Sequence, residues 1–146
     1  MVDRLDIPED LPLATFRRLM RTTLRMKRAI GPLLTRAGLT GAQFHTLVRI
    51  PDQGIPVTRL AAKAWTDPGN ASGVIDRLER EGLVERRPAA HDRRVVLVHA
   101  TATGRRRVDE LWPAYLDCIR RNMAPLGEEE LTSLDRLLEK LGARED

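Results

Sequence analysis

Aromatic residues are scarce in this chain of 146 residues, with two Trp, one Tyr and two Phe making up 3% of it. A core must therefore rest on Leu, Val, Ala and Ile, and the scarcity argues against a stacking platform for single-stranded nucleic acid, which needs several aromatic faces. Cysteine is nearly missing too. A single residue, Cys118, rules out an internal disulfide framework and agrees with a reducing compartment. No apolar run approaches the roughly 20 residues of a membrane span. The N-terminal stretch MVDRLDIPEDLP has acids and prolines where a signal peptide needs a basic start and an apolar core, so the expected location is cytoplasmic, with no membrane partner. The three histidines, His45, His91 and His99, fall in three different segments without ligand spacing, so no metal and no cofactor are expected. No Ser/His/Asp, Cys/His or phosphate-loop arrangement appears, and the chain does not read as an enzyme.

What is present is globular composition, 42% hydrophobic and 32% charged, enough for one domain or two small lobes sharing a core. Charge is segregated. Residues 83–107 hold seven Arg against two acids, a local net of +5, while the whole protein carries +4. Duplex DNA is the partner such an electrostatic footprint suits best. Residues 1–50 hold nine cations against four acids, and residues 108–146 five against ten. This opposition favours packing of the N-terminal helix near the C-terminal ones.

Apolar residues from Leu13 to Leu34 recur at helical spacing and predict a long amphipathic helix to about Arg36, with Gly31 and Pro32 as a candidate kink and Gly38 as the stop. A short helix follows from Gly41 to Ile50, capped by Thr40, with Ala42, Leu47 and Ile50 inward; Pro51, Asp52 and Gly54 then make a turn. Pro56 to Ala64 and Pro68 to Glu81 read as two helices joined by a tight turn at Trp65 and Thr66, with Asp67 as N-cap and Gly82 at the helix end. On a 100° wheel Ala71, Val74, Ile75 and Leu78 form one stripe, opposite Asn70, Gly73, Asp76, Arg77 and Arg80. A helix capped by Thr101 or Thr103 runs to about Met123, bent at Pro113. A last one, from about Glu128 to Leu141, places Leu131, Leu134, Leu137, Leu138 and Leu141 on a buried edge.

Between these helices lies VERRPAAHDRRVVLVHA, Val84 to Ala100. Each arm has strand composition, and Pro88 to Asp92 are too polar and broken to continue either strand, so the segment predicts a β-hairpin with Arg93 and Arg94 at its tip. The fold class is mainly α with a small β-hairpin: about six helices, a helix-turn-helix and a wing.

The block NASGVIDRLEREGLVERRPAAHDRRVVLVHATATG, from Asn70 to Gly104, and the upstream GLTGAQFHTLVRI resemble the MarR family of winged helix-turn-helix transcription regulators. Asp92 and Arg94 match the family's wing-tip Asp-x-Arg. Two positions depart from the pattern: Ala100 stands where Leu is usual, and Trp65 occupies the turn of the helix-turn-helix.

The resemblance implies a DNA-binding lobe at residues 37–101 and a helical dimerisation region at 1–36 and 102–146. It implies a homodimer, formed through N- and C-terminal helices, that binds double-stranded DNA at a pseudo-palindromic operator, usually as a repressor. Asn70, Ser72 and Gly73 would let the recognition helix approach base edges in the major groove, with Arg77 one turn on and Thr58 at the start of the preceding helix. Arg94 and Arg93 would enter the minor groove, where narrow A·T-rich segments favour a guanidinium. Asp92 would orient the wing arginines through an ion pair, and Arg86 and Arg87 would contact phosphates. Arg105, Arg106 and Arg107 read as a solvated face. A small-molecule effector is implied between the lobes, with Met20, Leu24, His45, Trp112 and Tyr115 as candidate lining. The competing readings are a redox-sensing regulator acting through Cys118, and a dimeric winged-helix module that binds protein but not DNA.

Overall fold

The computed structural model describes residues 10–63 and 68–143. The chain runs α1 (Leu11–Arg36), α2 (Gly41–Val48), β1 (Ile55–Pro56), α3 (Val57–Lys63), α4 (Pro68–Arg80), β2 (Val84–Pro88), β3 (Val96–Ala100), α5 (Ala102–Met123) and α6 (Glu128–Gly142). The expected turn at Trp65 and Thr66, and the expected cap Asp67, lie outside the described residues.

Helix limits follow from capping chemistry. Asp10 accepts from the Leu13 amide at 3.0 Å and opens α1. Thr40 and Gln43 form a reciprocal capping box at the start of α2, and Thr101 accepts from the Gly104 amide to open α5. Helices α1 and α4 end in the same way. Gly38 (φ +68°) and Gly82 (φ +70°) adopt the left-handed conformation, while Leu39 and Leu83 donate back to Leu34 and Leu78. This C-terminal motif turns the chain sharply back over its helix. Pro32 and Pro113 sit inside α1 and α5, and neither interrupts its helix.

The sheet has the order β1-β3-β2 and is antiparallel throughout. Val84 pairs with Ala100 and Arg86 with Val98, while Ile55 and Pro56 of β1 add to the other edge of β3 opposite Val98 and Leu97. Sequence reading misses β1, because two residues are too short for a period. Pro56 is tolerated there because β1 is an edge.

The core gathers around Phe44, Leu60, Ile75, Leu78, Val84 and Val98, each with under 2% of its surface exposed. All four residues of the expected α4 stripe are buried, and Leu34 of α1 and Leu111 of α5 complete the same cluster. Ala100, where a larger residue is usual, packs partly buried against it. Phe44, at the centre, escapes sequence reading; truncating so buried an aromatic costs about 3–5 kcal/mol.

The last helix corrects an expectation. Among its described residues α6 has none buried, and Leu137, Leu138 and Leu141 are 62%, 42% and 59% exposed. The stripe has helical spacing, and Leu131 and Leu134 at its start are half-buried, but its last three leucines stay open to solvent in the single chain.

Candidate nucleic-acid interface

Helix α4 presents Asn70, Ser72, Gly73, Arg77 and Arg80 to solvent, while its apolar stripe holds it on the core. The front of the exposed face is short and polar. A side chain at Gly73 would meet nothing nearer than Asn70 Oδ1 at 3.9 Å, so packing within the chain does not require a glycine there. Thr58, at the start of α3, is exposed as well.

The wing tip is closed by its own backbone. Ala89 donates to the Val95 carbonyl at 2.8 Å, and Val95 to the Asp92 carbonyl at 3.0 Å. Asp92 Oδ1 accepts from the Arg94 amide at 2.9 Å, an Asx turn that sets the direction in which the chain leaves the tip. Among the described residues no ion pair involves Asp92; it acts on the Arg94 backbone. Arg93 and Arg94 are both exposed.

Arg86 and Arg87 part company. Adjacent strand residues point to opposite faces. Arg86 shares the face of buried Val84 and reaches α4, where Nη2 lies 2.6 Å from Asp76 Oδ1 and Nη1 pairs with Glu79. Hydrogen bonding to Asp76, with Glu79 adding to it, pushes the Arg86 pKa upward against some desolvation. Arg87 pairs with Glu85 on its own strand and is 60% exposed.

The basic triplet opening α5 also resolves into separate parts. Arg105 pairs with Asp52 in the turn after α2, and Arg107 donates to the Ala37 carbonyl at 2.7 Å, capping the C-terminal end of α1. Arg106 is exposed. Two of these three cations, expected to be solvated, thus tie α5 to α1 and to the α2–β1 turn. A separate tie joins Gln43 of α2 to Glu81 at the end of α4, at 3.0 Å. In the sequence these pairs carry no local signature.

Of the candidate effector-lining residues, His45, Trp112 and Tyr115 come together around Phe44. Trp112 stacks on Tyr115 at 5.7 Å, and Phe44 lies 4.8 Å from Tyr115. Burial, with Arg49 nearby, lowers the His45 pKa; burial raises that of Tyr115. Met20 and Leu24, 46% and 48% exposed, stand on the open face of α1. A cavity of about 290 Å³ beside the cluster is lined by Leu47, Ile50, Val108 and Trp112 together with Arg105 and Asp109. Cys118 is buried and its sulfur lies 3.6 Å from Asn122 Nδ2, a setting that shields a thiol from oxidants. Among the described residues no three His, Cys, Asp or Glu are grouped to hold a metal ion, and no helix is long and apolar enough to cross a membrane.

Comparison with known proteins agrees with this geometry. The MarR family model matches residues 39–96, from the connection between α1 and α2 to the start of β3. The transcriptional repressor MprA of Escherichia coli is 26% identical over 117 residues, which are 78% of this chain and 66% of MprA; the match therefore spans just under two thirds of that relative's length. Among solved structures, BpsR of Bordetella bronchiseptica, whose DNA binding is regulated by 6-hydroxynicotinic acid, superposes with a TM-score of 0.83 at 26% identity, covering 95% of this chain and all of the other. A mutant MarR from E. coli complexed with operator DNA gives 0.81 at 27% identity, covering 92% and 99%. Helix order, wing, capping glycines and these likenesses lead to one conclusion: the chain belongs to the MarR family.

Proposed function

We propose that this protein is a homodimeric, sequence-specific DNA-binding transcription regulator, a repressor whose hold on a pseudo-palindromic operator is altered by a small molecule. The observation that carries the reading is the pairing of a recognition helix with a short polar front and a wing whose tip displays two arginines, the two elements tied together by Arg86 to Asp76 and Glu79. Residues 37–101 form the DNA-binding lobe in this reading, and 1–36 with 102–146 the dimerisation region. Asn70, Ser72, Gly73 and Arg77 face base edges, Thr58 and Arg87 the backbone, and Arg93 and Arg94 the minor groove.

Dimerisation answers the exposed Leu137, Leu138 and Leu141 of α6 and the exposed Phe16, Met20 and Leu24 of α1, since large apolar side chains left open in rows along a helix mark an interaction face. It also places two recognition helices about one DNA turn (~34 Å) apart, as a two-fold operator requires. The aromatic cluster of His45, Trp112 and Tyr115, at the joint of α2 and α5, is where an effector would change that spacing; the effector-regulated BpsR supports this part of the reading. The kinship is with regulators, which supports a binding role rather than catalysis, and a cytoplasmic location follows from DNA as partner.

The test is selection of a duplex from a randomised 30-base-pair pool, followed by binding measured at several salt concentrations. Wild-type protein should enrich a two-fold sequence and lose affinity steeply with salt. Arg94→Ala should weaken binding about tenfold or more, equivalent to ~1.4 kcal/mol, while leaving dimer and helicity intact. Asp92→Ala should imitate much of that loss, and Asp92→Asn, which keeps the Oδ1 acceptor, should not. Unchanged affinity in Arg94→Ala would refute the minor-groove role.

A further inference from the structure

Arg86 reads from the sequence as a phosphate contact, yet its partners in the fold are two carboxylates of the recognition helix. We infer that Arg86 is a positioning residue, the internal counter-charge of the DNA-facing surface: it neutralises Asp76 and Glu79 so that α4 can approach a polyanion, and it does not itself hold a phosphate. The inference rests on the DNA-binding reading above and assigns Arg86 a different part within it.

Three observations carry it. First, both terminal nitrogens of the guanidinium are engaged, Nη2 with Asp76 at 2.6 Å and Nη1 with Glu79, and the side chain is only 27% exposed. A forked guanidinium bound to two carboxylates is among the stronger charge-assisted arrangements. Turning it to a phosphate would leave two bare carboxylates within a Debye length, about 8 Å, of the phosphate it had turned to.

Second, the acids remain open to solvent on their other sides, Asp76 58% and Glu79 41% exposed. Asp76 lies on the solvent face of α4 with Gly73, Arg77 and Arg80. Without a cation beside them, the two carboxylates would present negative charge to the approaching duplex. Third, α4 itself is balanced, Asp76 and Glu79 against Arg77 and Arg80. Its two arginines become a net attraction only when Arg86, supplied from the wing, offsets the acids. Arg87, on the opposite strand face and 60% exposed, is free of this duty and is the better phosphate ligand of the pair.

The test uses the full-length protein and the duplex that wild type selects. Arg86→Gln, which keeps the stem and a polar head but loses the charge, should weaken binding at least tenfold. Arg86→Ala should do the same if thermal melting shows it folded. Adding Asp76→Asn and Glu79→Gln to Arg86→Gln should restore affinity to within about threefold of wild type, because no charge is then left to neutralise. The same two changes alone should leave binding as tight as wild type or tighter. If Arg86 grips phosphate, or merely braces the wing, neutralising the acids will not rescue Arg86→Gln, and that outcome overturns the inference. If wild type selects no sequence and shows no salt-dependent binding, the DNA-binding reading fails and the inference falls with it; failure of rescue with normal wild-type binding sinks the inference alone.

Discussion

Gly104, in the first turn of α5, offers a perturbation whose sign the structure decides against helix propensity. Replacing a mid-helix glycine by alanine ordinarily stabilises by about 0.5–1 kcal/mol. Here a Cβ would fall on the Leu83 carbonyl oxygen, with the carbonyl carbon at 3.0 Å and Leu47 Cδ2 at 3.4 Å. That oxygen cannot simply retreat. It accepts from the Thr101 amide at 3.0 Å, and the Thr101 hydroxyl in turn donates to the Gly82 carbonyl at 2.7 Å. The methyl would therefore push apart the joint between the end of α4, the base of the wing and α5. Overpacking against backbone costs ~1–3 kcal/mol, occasionally more, and a strained or lost hydrogen bond adds about 0.5–1.5 kcal/mol. After the propensity gain, Gly104→Ala should destabilise by roughly 0.5–4 kcal/mol, centred on about 2 kcal/mol, a lowering of the melting temperature by about 6–8 °C at that centre for a domain of this size. The assay is denaturant unfolding at fixed protomer concentration, since the stability of a dimer depends on it. Gly73→Ala is the internal contrast: a Cβ there meets only Asn70 Oδ1, at an ordinary contact distance of 3.9 Å, so it should stabilise the fold by about 0.5–1 kcal/mol and weaken DNA binding. Gly104→Ala within about 0.5 kcal/mol of wild type would show that the joint yields, and the reasoning would be wrong.

Two further outcomes are expected. Burial first, and Arg49 second, lower the His45 pKa below its ordinary 6.5, so the folded state prefers neutral imidazole. The stability this contributes is present above the unfolded pKa and is lost as pH falls from about 6.5 through the lowered folded value. Melting temperature should decline across that window, and His45→Gln should flatten the decline; an unaltered profile in the variant would assign the effect elsewhere. In α6, Leu137→Glu with Leu141→Glu should convert the dimer to monomer in sedimentation velocity while costing each chain little helicity, because both residues are largely exposed in the single chain. A dimer that persists would move the interface away from this helix.

Much of the architecture is legible from neighbours a few residues apart. The buried stripe of Ala71, Val74, Ile75 and Leu78 follows from helical spacing, and Thr40, Thr101, Gly38 and Gly82 mark helix ends because capping is a local matter of one side chain or one backbone angle. The exposed front of α4 and the Asp92 to Arg94 tip could be named for the same reason. By contrast β1 is too short for a pattern, and Phe44 is one aromatic among polar neighbours until Tyr115 and Trp112, some 70 residues away, close around it.

The amino-acid order by itself thus determined the six helices and the hairpin, several of their caps, the segregation of positive charge and the presence of both a polar helix front and a basic hairpin, all of which are read from residues within a turn or two of chain. Only the tertiary structure decided what each cation is for. Arg86 faces Asp76 and Glu79, Arg105 faces Asp52, and Arg107 caps α1, whereas Arg93 and Arg94 stay exposed at the tip. Arginines are alike as letters in a sequence, and their roles differ because a charge is defined by the partner folding brings to it, across ten, 53 or 70 residues of chain.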